Sequence, residues 1–392
     1  MKKTLLLYFG DVFWCTTPYE GVEIFNELSK EYNVIPVFGS GDIRIHKTWR
    51  GDEKFWFDKS IFQSLPYEEA NGQSELLDIY NKTNSELLLM SSHMQFKSHL
   101  AQRNRFLKRN GVKICLWDIG GGDGLYCDSP TAGWDFFLAK GDMWKEIMKD
   151  SEKFPKFCGA KMKENPENIF VTGSPSFDHL VTPSNRFIFC EKYNLDHSLP
   201  IVAYLPGNPR PDSKYSKSMN ELHEGLLKLQ KLNHQICFKT HPGDYISTES
   251  INEYHGVHPR ARMGGYAGPR YTLDPFNRFE LIDAQDGFDL YKVCDFAITN
   301  LSHVGFELGL INKPIVSYNM KDYPGWHMCD NLCETIYTDV SSTSELVDVC
   351  LKQKFIKSHN NTRLNEFFFF PKEGASTHIL CAINKILHRE QK

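Results

Sequence analysis

The sequence predicts an α/β protein with two domains, each built around a parallel β-sheet. Its 392 residues exceed the size of about 250–300 residues at which a single hydrophobic core stops growing. Short apolar runs alternate with longer helical patterns, which is typical of βαβ units, and the alternation restarts after a punctuated stretch between Ser174 and Pro200. We therefore expect Rossmann-like domains over residues 1–180 and 181–392.

The overall composition excludes several classes of protein. With 41% hydrophobic and 24% charged residues, the chain is neither disordered nor fibrous. A net charge of −4 gives no global basic field for nucleic acid or an anionic membrane. No stretch approaches the roughly 18–20 apolar residues of a membrane span. The 11 scattered cysteines show no disulfide framework, and we predict a cytoplasmic protein.

Ten short apolar runs are predicted as strands, in two groups separated by the punctuated stretch. In the first half they are Thr4–Phe9, Asn33–Val37, Leu87–Met90, Lys113–Trp117, Phe136–Ala139 and Ile169–Thr172. In the second half they are Pro200–Leu205, Gln235–Lys239, Phe296–Thr299 and Pro314–Tyr318.

Apolar residues at helical spacing predict helices between and after these strands. The predicted helices are Tyr19–Tyr32, His99–Asn110, Met219–Leu232, Val304–Ile311 and Ala375–His388. The second helix carries Arg103, Arg105, Lys108 and Arg109, which we expect on a solvated face.

One candidate binding motif follows the predicted strand that ends at Thr299-Asn300. A helix begins near Ser302, and its free N–H groups, with the helix dipole, form an anion site. Ser302 can cap the helix or donate to a phosphate. Gly305 would let a ligand approach the backbone, and Glu307 would present a carboxylate to ribose or sugar hydroxyls. An ordinary capped helix after an ordinary strand would give the same pattern.

A second motif, Lys239-Thr240-His241-Pro242, follows the predicted strand Gln235–Lys239. Because Pro242 stops the strand, Lys239 and His241 are expected at its carboxyl end, where ligands of parallel sheets bind. An imidazole there can hydrogen-bond a phosphate or assist a leaving group. The alternative is a structural histidine in a tight turn.

Together these motifs resemble the donor half of certain GT-B transferases. The shared pattern is Lys-x-His-Pro, then Asp-x-x-x-Thr-Asn-x-Ser-x-x-Gly-x-Glu, then Asn312-Lys313-Pro314-Ile315. It is similar to CDP-glycerol glycerophosphotransferases of wall polymer synthesis and to capsule and sialyltransferase-like glycosyltransferases. The segments Trp134–Ala139 and Val171–Asp178 resemble the end of their first domain, so the likeness covers about residues 110–320 in pieces. It implies a GT-B fold: two Rossmann-like domains face each other across a cleft, and the C-terminal helix packs back toward the first domain.

The resemblance also implies roles for individual residues. His241 is placed on the donor phosphate or nucleotide, Ser302 and the backbone of His303 on the diphosphate, and Glu307 on the ribose. The loop Gly207-Asn208-Pro209-Arg210 takes the place of another phosphate-contacting loop, where Arg210 could neutralise charge or simply lie at the surface. The predicted donor-binding residues are Gly207, Asn208, Arg210, Lys239, His241, Pro242, Asn300, Ser302, His303, Gly305 and Glu307.

The first half departs from the family pattern at the loop after Trp117. Wall-polymer transferases have a Trp-His-Gly-like turn there, whereas this chain reads Trp117-Asp118-Ile119-Gly120-Gly121-Gly122-Asp123. An inverting transferase needs a base for the acceptor proton, and a carboxylate can serve. Asp118 and Asp123 are both candidates, alongside the plainer reading of aspartates that cap turns in a Gly-rich loop.

These observations predict a metal-independent glycosyltransferase, or a glycerophosphotransferase-like enzyme. The donor would be CDP-, CMP- or UDP-linked, with no further cofactor, and the acceptor a glycan or lipid-linked hydroxyl, which leaves room for peripheral attachment at the inner membrane surface. No Asp-x-Asp motif is present to hold a metal at the diphosphate. His327, Cys329 and Cys333 share one loop, but we interpret them as a chance grouping rather than a zinc site.

Three other functions stay open at this point. A UDP-sugar 2-epimerase has the same fold and a similar Ser-x-x-Gly-x-Glu helix. A phage-type DNA base glycosyltransferase acting on hydroxymethylated bases would use the basic residues of His99–Arg109 with Arg260, Arg262 and Arg270. A non-catalytic binding protein is the third.

Overall fold

The computed structural model describes most of the chain, and the fold below refers to that part. The described residues are 2–8, 17–39, 67–70, 72–91, 98–117, 133–153, 165–205, 213–239, 279–282, 286–299, 304–319, 332–356 and 362–388. They form two compact units. The first unit contains the described residues up to 181 together with 365–388, and the second contains 182–356 and 362–364.

The first unit is built on a parallel sheet of seven strands. These strands are β1 (Thr4–Tyr8), β2 (Asn33–Gly39), β3 (Glu68–Ala70), β4 (Leu87–Ser91), β5 (Ile114–Trp117), β6 (Phe136–Ala139) and β7 (Ile169–Val171). Their order across the sheet is β3-β2-β1-β4-β5-β6-β7. The helices between them are α1 (Thr17–Leu28), α2 (Gln73–Lys82), α3 (Ser98–Arg109) and α4 (Asp142–Lys149).

The second unit repeats this arrangement with six parallel strands. They are β8 (Ile201–Leu205), β9 (Gln235–Phe238), β10 (Glu280–Leu281), β11 (Phe296–Thr299), β12 (Ile315–Tyr318) and β13 (Tyr337–Val340), in the order β10-β9-β8-β11-β12-β13. The remaining helices are α5 (Arg186–Lys192), α6 (Ser213–Lys231), α7 (Gly287–Val293), α8 (Val304–Leu310), α9 (Leu332–Ile336), α10 (Thr343–Leu351), α11 (Thr362–Phe367) and α12 (Ala375–His388).

Both sheets therefore have the strand order 3-2-1-4-5-6 of the Rossmann fold, and the first adds a seventh strand at its edge. All ten predicted strands are present. The predicted α/β class with two parallel sheets is confirmed.

The C-terminal helix α12 belongs to the first unit although it follows the second along the chain. Its apolar stripe, including Ile379, Ile383 and Ile386, packs with Leu5 and Leu7 of β1 in one buried core. This confirms that the last helix packs back on the first domain. The limits drawn from the sequence assigned this stretch to the second domain, whereas its contacts assign it to the first.

The chain reaches α12 along the carboxyl ends of β6 and β7. The Phe369 N–H donates to the carbonyl oxygen of Lys140, just after β6, over 2.7 Å. Gly173, just after β7, has a φ of +82°, and a Cβ there would lie 2.5 Å from the Phe369 carbonyl oxygen. Asp178 accepts hydrogen bonds from the N–H groups of Ala375 and Ser376 at the start of α12. The Thr-Gly-Ser-Pro segment that resembled the end of a first domain thus holds the returning chain.

The sheet of the second unit is covered on one face by α6 and α10. Leu226 and Leu229 of α6 and Leu346 of α10 pack there against Val202 and Ile298 of the sheet. The residues that alternate with these along the strands, such as Thr299, face the opposite side. Among the described helices, none is long and apolar enough to cross a membrane.

The polar face of α3 differs from expectation at one position. Lys108 and Arg109 are exposed, as predicted for a solvated face. Arg103 is only 8% exposed, because it packs against the ends of β1 and β4. The prediction of a solvated Arg103 was wrong.

Candidate functional site

The second sheet has one point where its strand order reverses, between β8 and β11. Ligands of open parallel sheets bind outside the carboxyl ends of the strands at such a reversal. The two predicted donor motifs follow β9 and β11, which are the neighbours of β8 on its two sides. The topology therefore brings both motifs to one edge of one sheet.

Only part of the predicted site belongs to the described residues. Lys239, Gly305 and Glu307 are described, and their surroundings are given below. Outside the described residues lie Asp118, Asp123, Gly207, Asn208, Arg210, His241, Pro242, Asn300, Ser302 and His303, and also His327 and Cys329. The roles of these residues stay predictions.

Lys239 is the first residue after β9, and its side chain lies against α7. Its N–H donates to the carbonyl oxygen of Tyr204 over 3.1 Å, which continues the pairing of β9 with β8. Its stem crosses Gly287, where a Cβ would be 2.1 Å from the Lys239 Cε. The Lys239 Nζ lies 5.8 Å from the centroid of the Tyr291 ring, within the range of a cation–π contact. Gly287 thus leaves the room that this lysine needs to reach Tyr291.

Glu307 lies on α8 and is 7% exposed. Its carboxylate interacts electrostatically with Tyr291, which is itself buried. Burial raises the pKa of Tyr291 well above its usual value, and the charges of Glu307 and Cys294 raise it further. Tyr291 therefore keeps its proton at neutral pH, and it neighbours both charged residues of the predicted donor site.

Gly305 lies on the same short helix, and the space beside it is occupied. A Cβ at Gly305 would lie 1.7 Å from the hydroxyl oxygen of Tyr337, the first residue of β13. One turn later, a Cβ at Gly309 would lie 3.0 Å from Cδ2 of Leu364. The two glycines let α8 pack closely on its neighbours. The structure thus gives Gly305 a packing contact with Tyr337. The ligand approach expected at Gly305 stays a prediction.

Thr299 is the last residue of β11 and is 1% exposed. Its Oγ1 is buried and has no hydrogen-bond partner among the described residues. Buried hydroxyl groups nearly always have a partner, and this one lies next to the reversal of strand order. It is therefore a candidate contact for a bound ligand.

Sequence reasoning did not assign a role to Tyr291, Tyr337 or Thr299. Thr299 stands inside the motif that runs from Asp295 to Glu307, and Tyr291 stands four residues before that motif begins. The contact of Tyr337 with Gly305 joins residues far apart in the chain, which no local pattern shows.

Comparison with known proteins supports the fold. No protein-family model and no curated protein sequence matches this chain. Among solved structures, UDP-GlcNAc 2-epimerase from Methanocaldococcus jannaschii is similar with a TM-score of 0.57 and 12% identity, over 99% of this chain and 100% of the other. The wall teichoic acid polymerase TagF with CDPG has a TM-score of 0.57 and 15% identity, over 100% and 90%. The S. aureus MnaA–UDP structure has a TM-score of 0.54 and 13% identity, over 99% and 97%.

These three structures match almost the whole length of the chain, so the likeness includes both units. At such low identity it defines the fold. This protein has the GT-B fold, as the motifs in its sequence implied.

Proposed function

We propose that this protein is a transferase that binds a nucleotide-activated donor at the carboxyl edge of its second sheet. The observation that carries the proposal is the grouping of Lys239, Tyr291 and Glu307 beside the reversal of strand order. Solved structures of the same fold contain UDP or CDPG by name, which supports a pyrimidine nucleotide as the first ligand to test.

Three side chains at this edge of the sheet offer chemistry that suits a nucleoside diphosphate. The ammonium of Lys239 can neutralise phosphate charge. The carboxylate of Glu307 can accept hydrogen bonds from ribose hydroxyls, and such charge-assisted bonds are among the stronger ones. The buried hydroxyl of Thr299 can bond the ligand at the end of β11.

The reaction follows from a donor held in this way. An acceptor hydroxyl bound by the first domain attacks the donor carbon, or its phosphorus if a polyol phosphate is moved. The bond from that atom to the nucleotide phosphate breaks, and the phosphate leaves with the electron pair. Asp118 or Asp123 takes the hydroxyl proton, while Lys239 and His241 stabilise the negative charge of the leaving group. The scheme needs no metal, and we propose a surface glycan or its lipid-linked precursor as the acceptor.

The test is a thermal-shift panel of CMP, CDP, UDP, GDP and ADP. Wild type is measured beside Glu307→Gln and His241→Ala, with Glu191→Gln as the control, because Glu191 is an exposed carboxylate of the same unit. A ligand at 100 times its Kd stabilises a protein by about 2.7 kcal/mol. We expect one pyrimidine nucleotide to raise the melting temperature of wild type and of the control but not of the two site variants. A flat panel for wild type would contradict the proposal.

A UDP-sugar 2-epimerase is the second candidate. One of the similar structures is named as UDP-GlcNAc 2-epimerase, and another contains UDP by name. Such an epimerase would invert C2 of UDP-N-acetylglucosamine with no acceptor present. Proton NMR in D2O separates the two functions. Appearance of the C2 epimer with deuterium at C2 would identify the epimerase, and an unchanged sugar with intact nucleotide binding favours the transferase.

A further inference from the structure

Lys239 and Thr299 lie at the same level of the second sheet, on the two sides of β8. Thr299 pairs with Leu205 of β8, and Phe238 pairs with the residue before it. Lys239 therefore stands opposite Leu205 on the other side. Because neighbouring strands are about 4.8 Å apart, the backbones of Lys239 and Thr299 are separated by roughly 10 Å.

The side chains of Lys239 and Thr299 point to the same face of the sheet. Phe238 and Ile298, which come directly before them, pack in the core formed with α6 and α10. Since side chains alternate along a strand, Lys239 and Thr299 point to the opposite face. A ligand on that face at the carboxyl edge of the sheet can reach both residues.

Gly287, the first residue of α7, shapes the space in which the Lys239 side chain lies. A Cβ at Gly287 would overlap Cδ and Cε of Lys239 and would lie 3.4 Å from its Nζ. The end of the lysine stem thus passes directly over the glycine. Its ammonium lies 5.8 Å from the centroid of the Tyr291 ring. A methyl group at Gly287 would displace the ammonium from this place.

The start of α7 is held by contacts of its own. Asp286, directly before Gly287, accepts hydrogen bonds from the Lys192 ammonium and the Tyr193 hydroxyl at the end of α5. The atoms that a methyl group at Gly287 would meet belong to the far end of a flexible side chain. We therefore expect the lysine stem to move in Gly287→Ala, and α7 to stay in place.

We propose that Gly287 is a positioning residue, which sets the place of the Lys239 ammonium and thereby gives the donor site its preference for a nucleoside diphosphate. An ammonium has three N–H donors, so Lys239 can keep a contact within the protein and still donate to a phosphate. A second phosphate adds negative charge and spans more of the distance between Lys239 and Thr299. The inference rests on the proposed transferase function. It narrows the donor from a CDP-, CMP- or UDP-linked compound to one linked through a diphosphate.

The experiment compares CDP with CMP, and UDP with UMP, by isothermal titration calorimetry of the full chain. The quantity measured is the ratio of the diphosphate affinity to the monophosphate affinity. The variants are Gly287→Ala, Lys239→Ala and the double variant that combines them. Gly225→Ala is the control, because a Cβ there would be 2.5 Å from Cδ2 of Leu346 in the core on the other face of the sheet.

We expect wild type and Gly225→Ala to bind the diphosphate of one pair more tightly than its monophosphate. Lys239→Ala should lower this ratio by about tenfold, which corresponds to the loss of one charged hydrogen bond. Gly287→Ala should lower the ratio nearly as far, because the ammonium is displaced. In the double variant the ratio should equal that of Lys239→Ala, since the glycine acts through the lysine.

Three results would overturn the inference. They are an unchanged ratio in Gly287→Ala, a double variant with a lower ratio than Lys239→Ala, and an equal fall of the ratio in Gly225→Ala. If Gly287→Ala does not fold, Lys239→Ala decides the question: a fall of the ratio supports the inference, and an unchanged ratio overturns it. Failure of the proposed function looks different, because wild type then binds none of the four nucleotides.

Discussion

Gly305 and Gly309 show, at the scale of single residues, that the helix of a proposed binding motif is also closely packed against its neighbours. Both lie on α8 with Glu307 between them, and each leaves space that a neighbouring side chain fills. The close approach of Tyr337 to Gly305 fixes α8 against β13. The position of Glu307 therefore depends on the packing of Gly305 against Tyr337.

Replacing Gly305 with alanine tests this packing. Because the added methyl group would lie 1.7 Å from the Tyr337 hydroxyl oxygen, we expect the free energy of unfolding to fall by about 1–3 kcal/mol. Urea unfolding is the measurement. Gly72→Ala is the control, since a Cβ there has no atom within 4 Å. Adding Tyr337→Phe should restore part of the loss, and a double variant no better than Gly305→Ala would argue against this contact.

Asp178 gives a prediction about pH. Burial is the main cause that raises its pKa, and hydrogen bonds from Ser376 and Ala375 only partly oppose it. The folded protein therefore binds the Asp178 proton more tightly than the unfolded chain does. The stabilisation from the protonated carboxyl group is complete below pH 3.8 and is lost as the pH rises through the folded pKa. Asp178→Asn keeps an acceptor for α12 but removes the titration.

We expect Asp178→Asn to gain stability relative to wild type as the pH is raised from 4 to 7. Asp178→Ala, which loses the cap of α12, should be less stable than Asp178→Asn by about 0.5–2 kcal/mol at both values. Chemical denaturation at the two pH values measures these differences. If the difference in the free energy of unfolding between Asp178→Asn and wild type does not change with pH, Asp178 does not titrate in this way.

At the scale of elements, the returning chain before α12 is the feature that local patterns could not predict. It lies against Gly141 and Gly173, where a Cβ would be 2.2 and 2.5 Å from the carbonyl oxygens of Phe367 and Phe369. In the sequence these glycines stand one or two residues after the predicted strands Phe136–Ala139 and Ile169–Thr172. Their second role exists only because a segment about 200 residues away passes over them.

Two glycines with nearly the same φ angle allow the cost of a strained backbone to be measured separately from the cost of a steric contact. Gly111 and Gly173 have φ values of +81° and +82°, but only Gly173 has atoms close to a would-be Cβ. Alanine at either position costs about 1–2 kcal/mol for the left-handed conformation. We expect Gly173→Ala to cost about 1–3 kcal/mol more, because the methyl group also meets the returning chain. Equal losses in urea unfolding would mean that this chain moves aside freely.

The strands that the sequence did not predict have a common physical reason. β3, β10 and β13 each form an edge of their sheet. β3 and β10 contain a glutamate and are only three and two residues long. Such segments show no apolar run of their own. They become strands because β2, β9 and β12 offer them a pairing edge. The central strands, by contrast, are mainly apolar and were predicted to within a residue or two.

At the scale of the whole molecule, the sequence predicted the two sheets and the edge that gathers the donor motifs. That much follows from local runs and from the rule that ligands bind at the carboxyl ends of parallel strands. The placement of Lys239 after β9 and of Glu307 on α8 could be predicted from these local patterns alone. The neighbours of Tyr291 and the burial of Arg103 needed the folded structure, because both involve residues on other elements.

The return of α12 to the first sheet sets an order of assembly during synthesis. Domains generally fold as units, starting from the N-terminus as the chain leaves the ribosome. Here Ile379, Ile383 and Ile386, which complete the core around β1, are translated after the whole second unit. Until α12 has been synthesised, the apolar surface that α12 covers in the first unit stays exposed, while the second unit can already fold. The first unit is therefore completed after the second. A chain whose translation ends before α12 has an incomplete core in its first unit.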